Sequence, residues 1–182
     1  EDLRDLREYA IGAGVGVHMD GARLWNAHVA TGTPLVEYGA VADVVSVCLS
    51  KGLGAPVGSL MVGSRDAIAE ARVWRKRMGG GMRQVGILAA AGLHALEHHL
   101  ERLVDDHAHA RLLAEACGVD PATVDTNIVV VRRSDATDFV AAAREEGVLV
   151  SAVGPSAVRL VTHLDVSSED AKRAAAVLSR LS

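Results

Sequence analysis

The sequence predicts an α/β fold followed by a small α+β unit, and three observations support this. Short Val-rich apolar runs alternate with segments of helical periodicity in the first part of the chain, as in a βαβ arrangement. Three consecutive glycines at 79–81 then interrupt the pattern. Beyond residue 117, short strand-like runs alternate with helical segments, which is typical of a compact α+β unit.

The elements of the first part follow from apolar spacing and from the glycines that end helices. The predicted helices cover 2–10, 22–30 and 65–77, and the predicted strands cover 15–19, 43–49 and 57–62. The first two strands read as buried, because their apolar runs are continuous. The third strand follows the second after a short loop that contains glycine and proline, so we expect these two strands to run antiparallel.

The second part begins with a long helical pattern that is rich in Ala, Leu and His and has a predicted break near Asp105. Beyond it we predict strands over 126–131, 149–153 and 158–162 and helices over 135–146 and 168–181. The predicted organisation is therefore an α/β part over 1–83, a connecting helical segment over 84–117 and a small α+β domain over 118–182.

Composition excludes several classes of function. The chain has 182 residues, of which 49% are apolar and 23% charged, and these are globular values. Aromatic residues make up 3% and the net charge is −4, so we expect no nucleic-acid partner. The longest apolar runs are too short to span a bilayer, so we expect no membrane partner. Cys48 and Cys117 cannot form a disulfide framework, which favours a reducing cytoplasm.

Two charged residues come directly after predicted strands. Asp20 ends the first apolar run, and Lys51 ends the second. The chain between them is long enough for a parallel crossover, which would place both at the carboxyl ends of neighbouring strands, where α/β sheets bind ligands. A carboxylate beside an amine is what pyridoxal phosphate requires. Alternatively, Asp20 caps the next helix and Lys51 is a solvated loop residue.

Four segments, in this order, resemble the low-specificity threonine aldolases, which belong to the aspartate-aminotransferase-like (fold type I) superfamily of pyridoxal-phosphate enzymes. They are His-Met-Asp-Gly-Ala-Arg at 18–23, Ser-Lys-Gly-Leu-Gly-Ala-Pro-Val-Gly-Ser at 50–59, Arg-Met-Gly-Gly-Gly-Met-Arg-Gln at 77–84 and Val-Arg-Leu-Val-Thr-His at 158–163. The resemblance implies that the α/β part is the carboxy-terminal part of the large cofactor domain.

The resemblance also implies a role for each matching residue. Lys51 would be the catalytic Schiff-base lysine, Asp20 would pair with the pyridinium nitrogen, and Arg23 would face the phenolic oxygen of pyridoxal 5'-phosphate. Arg159 would hold the substrate carboxylate through its planar guanidinium. Lys76 and Arg83 would add positive potential near the substrate, or would form a solvated basic face.

The function implied is a lyase that cleaves threonine or related β-hydroxy-α-amino acids to glycine and an aldehyde, in a homo-oligomer (a dimer or a homotetramer). Family chains are about twice this length. The phosphate-cradling loop, the ring-stacking residue and the base would lie before residue 1, so we expect a fragment that is nearly inactive alone. The alternatives are another fold type I lyase that catalyses β-elimination, and an inactive fragment that acts only by association.

Histidine and cysteine side chains suggest further chemistry that we weigh against structural roles. His94 and His98 lie one helical turn apart, but no third ligand accompanies them, so we expect no metal site. His18 either supports the site beside Asp20 or packs in the core. Cys48 lies within a predicted buried strand and is expected to pack there.

Overall fold

The computed structural model describes residues 2–182 and divides into two compact units, one ending at Leu100 and the other comprising Glu101–Ser182. This boundary lies inside the predicted helical segment 84–117. The predicted division of the chain into three parts, with boundaries after residues 83 and 117, stays a prediction. The first unit contains, in order, α1 (Asp2–Ala13), β1 (His18–Gly21), α2 (Leu24–Thr31), α3 (Leu35–Ala40), β2 (Val44–Cys48), β3 (Ser59–Gly63), α4 (Arg65–Arg77) and α5 (Gly86–His98).

The first unit is built on a three-stranded sheet with the order β1-β2-β3. β1 pairs with β2 in parallel, with Asp20 opposite Ser46. β2 pairs with β3 in antiparallel fashion, with Val44 opposite Gly63, which confirms the orientation predicted from the short loop. All of β3 is exposed, including Leu60, so one border of this sheet carries apolar side chains in contact with solvent.

The buried strand predicted over 15–19 is wrong in its position and in its burial. β1 begins at His18, and within it only Gly21 is buried. The preceding residues are held by a side chain instead, because the carboxylate of Asp43 accepts a hydrogen bond from the Val17 amide at 2.7 Å. Val15 lies before β1 and is 57% exposed, and β1 itself is a border strand of the described sheet.

Asp43 also joins this segment to the first helix. The Arg7 guanidinium donates two hydrogen bonds to its carboxylate, at 2.7 and 2.9 Å. The hydrogen bonds from Arg7 and Val17 lower the pKa of Asp43 to about 2. A single exposed carboxylate therefore connects α1, the start of β1 and the start of β2.

We expect Asp43→Asn to lower the melting temperature at neutral pH and to leave it nearly unchanged at pH 2. The pKa of Asp43 is lower in the folded chain than its ordinary value of about 3.9, so its stabilisation is present above that value and is lost as the pH falls towards 2. Calorimetry between pH 7 and pH 2 measures this difference. Asp125→Asn is the control, because that exposed aspartate has no hydrogen bond or ion pair within the described chain. An equal fall in melting temperature at pH 7 and pH 2 would contradict the prediction.

Two features of the helices differ from the predictions. The sequence pattern did not indicate α3, a six-residue helix, because so short a segment shows less than two turns of periodicity. The long helical pattern forms two helices, α5 and α6 (Leu103–Ala116). The break lies at 99–102 rather than near Asp105, and Leu103 is fully buried at the start of α6.

The second unit continues from α6 through a 3₁₀ turn (Pro121–Thr123), β4 (Ile128–Arg132), α7 (Ala136–Glu145), β5 (Ser151–Ala152), β6 (Ala157–Val161) and α8 (Ser168–Leu181). Its antiparallel sheet has the order β4-β6-β5. The strand predicted over 149–153 is shorter than expected, because only two residues pair with β6. The core of this unit includes Leu113, Phe139, Val158, Leu160 and Leu178.

Buried hydrogen bonds hold the end of β6 in the second unit. The Thr162 hydroxyl donates to the Asp106 carbonyl at 2.6 Å, and the Asn127 amide nitrogen donates to the Thr162 carbonyl at 2.7 Å. The strand that carries Arg159 is thereby joined to α6 and to the start of β4. None of the helices within residues 2–182 combines the length and the apolar character needed to cross a membrane.

Candidate active site at the ends of two parallel strands

The parallel pairing of β1 and β2 brings Asp20 and Lys51 to the same end of the sheet. Asp20 lies inside β1, opposite Ser46, rather than directly after the strand as the sequence pattern suggested. The reason is that β1 starts at His18, three residues later than predicted. Lys51 follows the carboxyl end of β2, in a turn that begins at Leu49.

The carboxylate of Asp20 is exposed, and one oxygen accepts a hydrogen bond from the Ala22 amide at 3.1 Å. Its second oxygen has no protein hydrogen bond among residues 2–182. The following residue must be glycine here, because a Cβ at Gly21 would lie 2.8 Å from the Ser46 carbonyl oxygen.

The side chain of Lys51 is exposed, and no hydrogen bond or ion pair engages its amine within the described chain. Its positive charge does act on Cys48, three residues earlier. Burial raises the pKa of the Cys48 thiol, but hydrogen bonding to Ser50 and the charge of Lys51 outweigh that effect and lower the pKa overall. Cys48 is buried, as predicted.

The other predicted site residues occupy three different places. Arg23 is half-buried just before α2, three residues after Asp20. Lys76, in the last turn of α4, and Arg83, in the segment that follows, are exposed, and within residues 2–182 neither bonds to Asp20 or Lys51. Arg159 lies on β6 in the second unit and points away from the core, since it alternates with the buried Val158 and Leu160.

Sequence reasoning missed two side chains near the predicted site, Trp25 and His99, and left the role of His18 open. The Trp25 indole N–H donates to the Cys48 carbonyl at 2.9 Å, at the carboxyl end of β2. Nε2 of His18 lies 2.7 Å from the Ser46 hydroxyl, across the pair of strands that carries Asp20. His18 is exposed, so the alternative of a packed core histidine is wrong. Nδ1 of His99 donates to the Leu53 carbonyl at 2.6 Å.

His94 and His98 of α5 form a cluster of rings with His99, the residue that follows the helix. The ring centroid of His94 lies 4.5 Å from that of His98 and 5.3 Å from that of His99. Within residues 2–182, no group of three or more His, Cys, Asp or Glu side chains is arranged to hold a metal ion.

Solved structures resemble this fold along almost the whole chain. A threonine aldolase from Leishmania major matches with a TM-score of 0.78 and 20% identity, covering 98% of this chain and 55% of that protein. N-acetylornithine aminotransferase from Stenotrophomonas maltophilia matches with a TM-score of 0.68 and 17% identity, covering 98% of this chain and 50% of that protein. The fold is therefore that of part of a fold type I enzyme.

Relatives found by sequence have a higher sequence identity to this chain than these solved structures do. The low specificity L-threonine aldolase of Escherichia coli strain K12 is 46% identical over 97% of this chain and 54% of the relative. Low-specificity L-threonine aldolase 1 of Arabidopsis thaliana is 43% identical over 93% of this chain and 51% of the relative. This chain thus spans about half the length of the curated relatives that it matches.

A family model described as Beta-eliminating lyase matches residues 1–137, which include Asp20, Arg23, Lys51, Lys76 and Arg83. The family and its threonine aldolases depend on pyridoxal phosphate. Because the match covers about three quarters of the sequence, the chain belongs to the beta-eliminating lyase family.

Proposed function

We propose that this chain provides the lysine-bearing part of a pyridoxal-phosphate lyase that cleaves threonine or related β-hydroxy-α-amino acids to glycine and an aldehyde. The observation that carries the proposal is the parallel pairing of β1 with β2, which brings Asp20 and the unpaired amine of Lys51 to one end of the sheet. The names of the relatives in Escherichia coli and Arabidopsis thaliana support the choice of substrate.

The donor set at this end of the sheet fits pyridoxal phosphate. A primary amine without a protein partner is available to the cofactor aldehyde, and the free oxygen of the Asp20 carboxylate can accept a hydrogen bond from a protonated ring nitrogen. When bound, the cofactor supplies an acceptor for the electron pair released as the Cα–Cβ bond breaks. Lys51 would hold the cofactor, Asp20 would keep its ring nitrogen protonated, and Arg23 would interact with its phenolic oxygen.

Arg159 binds the substrate carboxylate in this proposal, with Lys76 and Arg83 adding positive potential. The guanidinium of Arg159 has no hydrogen bond or ion pair within the described part of the chain, so both of its outer nitrogens can pair with a carboxylate. Its backbone position is held by pairing with Val130 on one side and Ser151 on the other. Within the described chain, Arg159 is therefore an unpaired cation on a strand that pairs with a neighbouring strand on each side.

We expect Arg159→Lys to raise the Michaelis constant for threonine about tenfold and to leave cofactor affinity unchanged, because lysine keeps the charge but loses the two-pronged hydrogen bond. The assay uses a chimera in which the part of the Escherichia coli relative that precedes the matched segment is joined to residue 1. Arg132→Lys, an exposed arginine on β4, is the control. An unchanged Michaelis constant would remove Arg159 from the site.

We also propose that the protein acts in the cytoplasm as a homo-oligomer, a dimer or a tetramer, on a small amino acid and not on nucleic acid or membrane. Two buried free cysteines and a net charge of −4 support this setting. The exposed apolar residues Leu60, Met61 and Val62 on β3 support association, because an unpaired apolar border strand favours pairing with another chain.

The chain alone should release no measurable acetaldehyde from threonine, whereas the chimera should release it. The resemblance assigns the phosphate-cradling loop and the ring-stacking residue to the part of family chains that precedes residue 1, and the chimera restores that part. Acetaldehyde release by both chains measures the difference. Turnover by residues 1–182 comparable to that of the chimera would show that this chain suffices.

A second candidate function is β-elimination, which the description of the matching family favours. It uses the same Lys51 and Asp20, but the bond that breaks joins the β-carbon to a leaving group. The chimera distinguishes the two reactions when it is offered threonine and, separately, an amino acid with a good leaving group on its β-carbon. Faster release of a keto acid from the second compound would favour elimination.

A further inference from the structure

One face of α5 contacts the segment that carries Lys51. Gly92 and Ala95 lie on this face, and His99, which directly follows α5, continues it, because the three are spaced by three and four residues. A Cβ at Gly92 would lie 3.1 Å from Cδ1 of Leu49, so the helix backbone approaches this side chain closely. Ala95 is 1% exposed in the same face. The last residue of the face, His99, donates from Nδ1 to the Leu53 carbonyl at 2.6 Å.

The contacted segment is a tight turn over residues 49–55, here termed the lysine turn. Two backbone hydrogen bonds close it, from the Gly54 amide to the Lys51 carbonyl at 2.8 Å and from the Ala55 amide to the Leu49 carbonyl at 2.9 Å. Leu49 and Leu53 are 6% and 1% exposed. The lysine between them is exposed, so α5 contacts the turn on both sides of Lys51.

We propose that His99 is a positioning residue that orients Lys51 through the lysine turn, an inference that rests on the proposed role of Lys51 as the cofactor lysine. The amine of Lys51 has no partner in the described chain, so the backbone of the turn alone directs its side chain. Leu53 is buried, and its carbonyl oxygen therefore needs a donor. His99 supplies that donor from a residue 46 positions away.

The two neighbouring histidines do not share this role. His94 and His98 are exposed, and neither ring hydrogen-bonds to the lysine turn within residues 2–182. His98 instead contacts Glu97 and the ring of His94. His98 is therefore a matched control for a substitution at His99.

The test uses residues 1–182 with pyridoxal phosphate alone, followed by borohydride reduction and peptide mapping. Lysine occurs only at 51, 76 and 172, and the proposal gives Lys172 no role, so labelling at Lys172 is the internal reference. We expect His99→Leu to lower labelling at Lys51 about fivefold relative to Lys172, as for the loss of one neutral hydrogen bond. Hydrogen exchange at the Gly54 and Ala55 amides should accelerate by about the same factor.

Two amide variants separate hydrogen bonding from packing. Asparagine places its nitrogen where the Nδ1 atom of histidine lies, so His99→Asn should keep labelling and exchange close to the parent. Glutamine places its nitrogen farther out, so His99→Gln should lose both the labelling at Lys51 and the slow exchange of the turn amides. If His99→Leu fails to fold, the comparison of His99→Asn with His99→Gln tests the proposal. His98→Leu should change neither.

Parental labelling and exchange in His99→Leu and His99→Gln would overturn the proposal. Equal losses in His99→Asn and His99→Gln would also overturn it, because the donor position would then be irrelevant. Failure of the proposed function has a different signature, the absence of preferred labelling at Lys51 in the parent chimera. In that case, unchanged exchange at Gly54 and Ala55 in the variants would still overturn the role of His99.

Discussion

Replacing Lys51 with alanine is expected to abolish the borohydride-stable cofactor adduct on that segment and to lower threonine turnover by the chimera at least about 10³-fold. The physical reason is that no other residue assigned to the site places a primary amine at the carboxyl end of β2, where it can react with the cofactor aldehyde. Peptide mapping after reduction locates the adduct, and acetaldehyde release measures turnover.

Lys172→Ala is the matched control for Lys51→Ala. Lys172 lies on α8 in the second unit, and the proposal gives it no role. Its loss should leave both adduct and turnover unchanged. A borohydride-stable adduct that moves to Lys76 while turnover persists would show that Lys51 is not the cofactor lysine.

Asp20→Asn should keep the adduct at Lys51 yet lower turnover by the chimera about a hundredfold. Asparagine retains an oxygen that can accept from the Ala22 amide, so the local backbone should be preserved. It loses the negative charge that stabilises a protonated ring nitrogen, and charge-assisted hydrogen bonds are the stronger kind. Turnover and adduct yield are measured on the same preparation.

Asp66→Asn is the control for the Asp20 substitution, since it also removes one carboxylate, in the first turn of α4, and the proposal gives Asp66 no role. It should not change turnover. Equal turnover in Asp20→Asn and the parent chimera would show that a different group stabilises the ring nitrogen.

Local patterns were sufficient for most of the elements. The run that became β2 is Val-rich and continuous, and α4 was predicted with its observed bounds, because Ser64 caps it and Gly79 follows its end. Elements with weaker local signals were predicted less well. α3 is six residues long and β5 only two, too short for periodicity to stand out.

The candidate site was predictable in its residue types and only partly in its geometry. The positions of Asp20 and Lys51 between predicted strands and glycines indicate a ligand-binding end of a sheet. The position of β1 was not predictable, since the side chain of Asp43 takes the Val17 amide that a longer strand would have paired. The spacing of apolar residues near Val17 does not report a hydrogen bond to a side chain 26 residues away.

Local sequence patterns were enough to predict the class of fold, the antiparallel pairing of β2 with β3, and the residues that offer amine, carboxylate and guanidinium chemistry. The contacts that hold those residues in place arise from tertiary packing. The Trp25 indole on the end of β2 and His99 on the lysine turn reach backbone carbonyls 23 and 46 residues away. Hydrogen bonds over such separations depend on how helices pack against strands, whereas periodicity reports only which face of each element is buried.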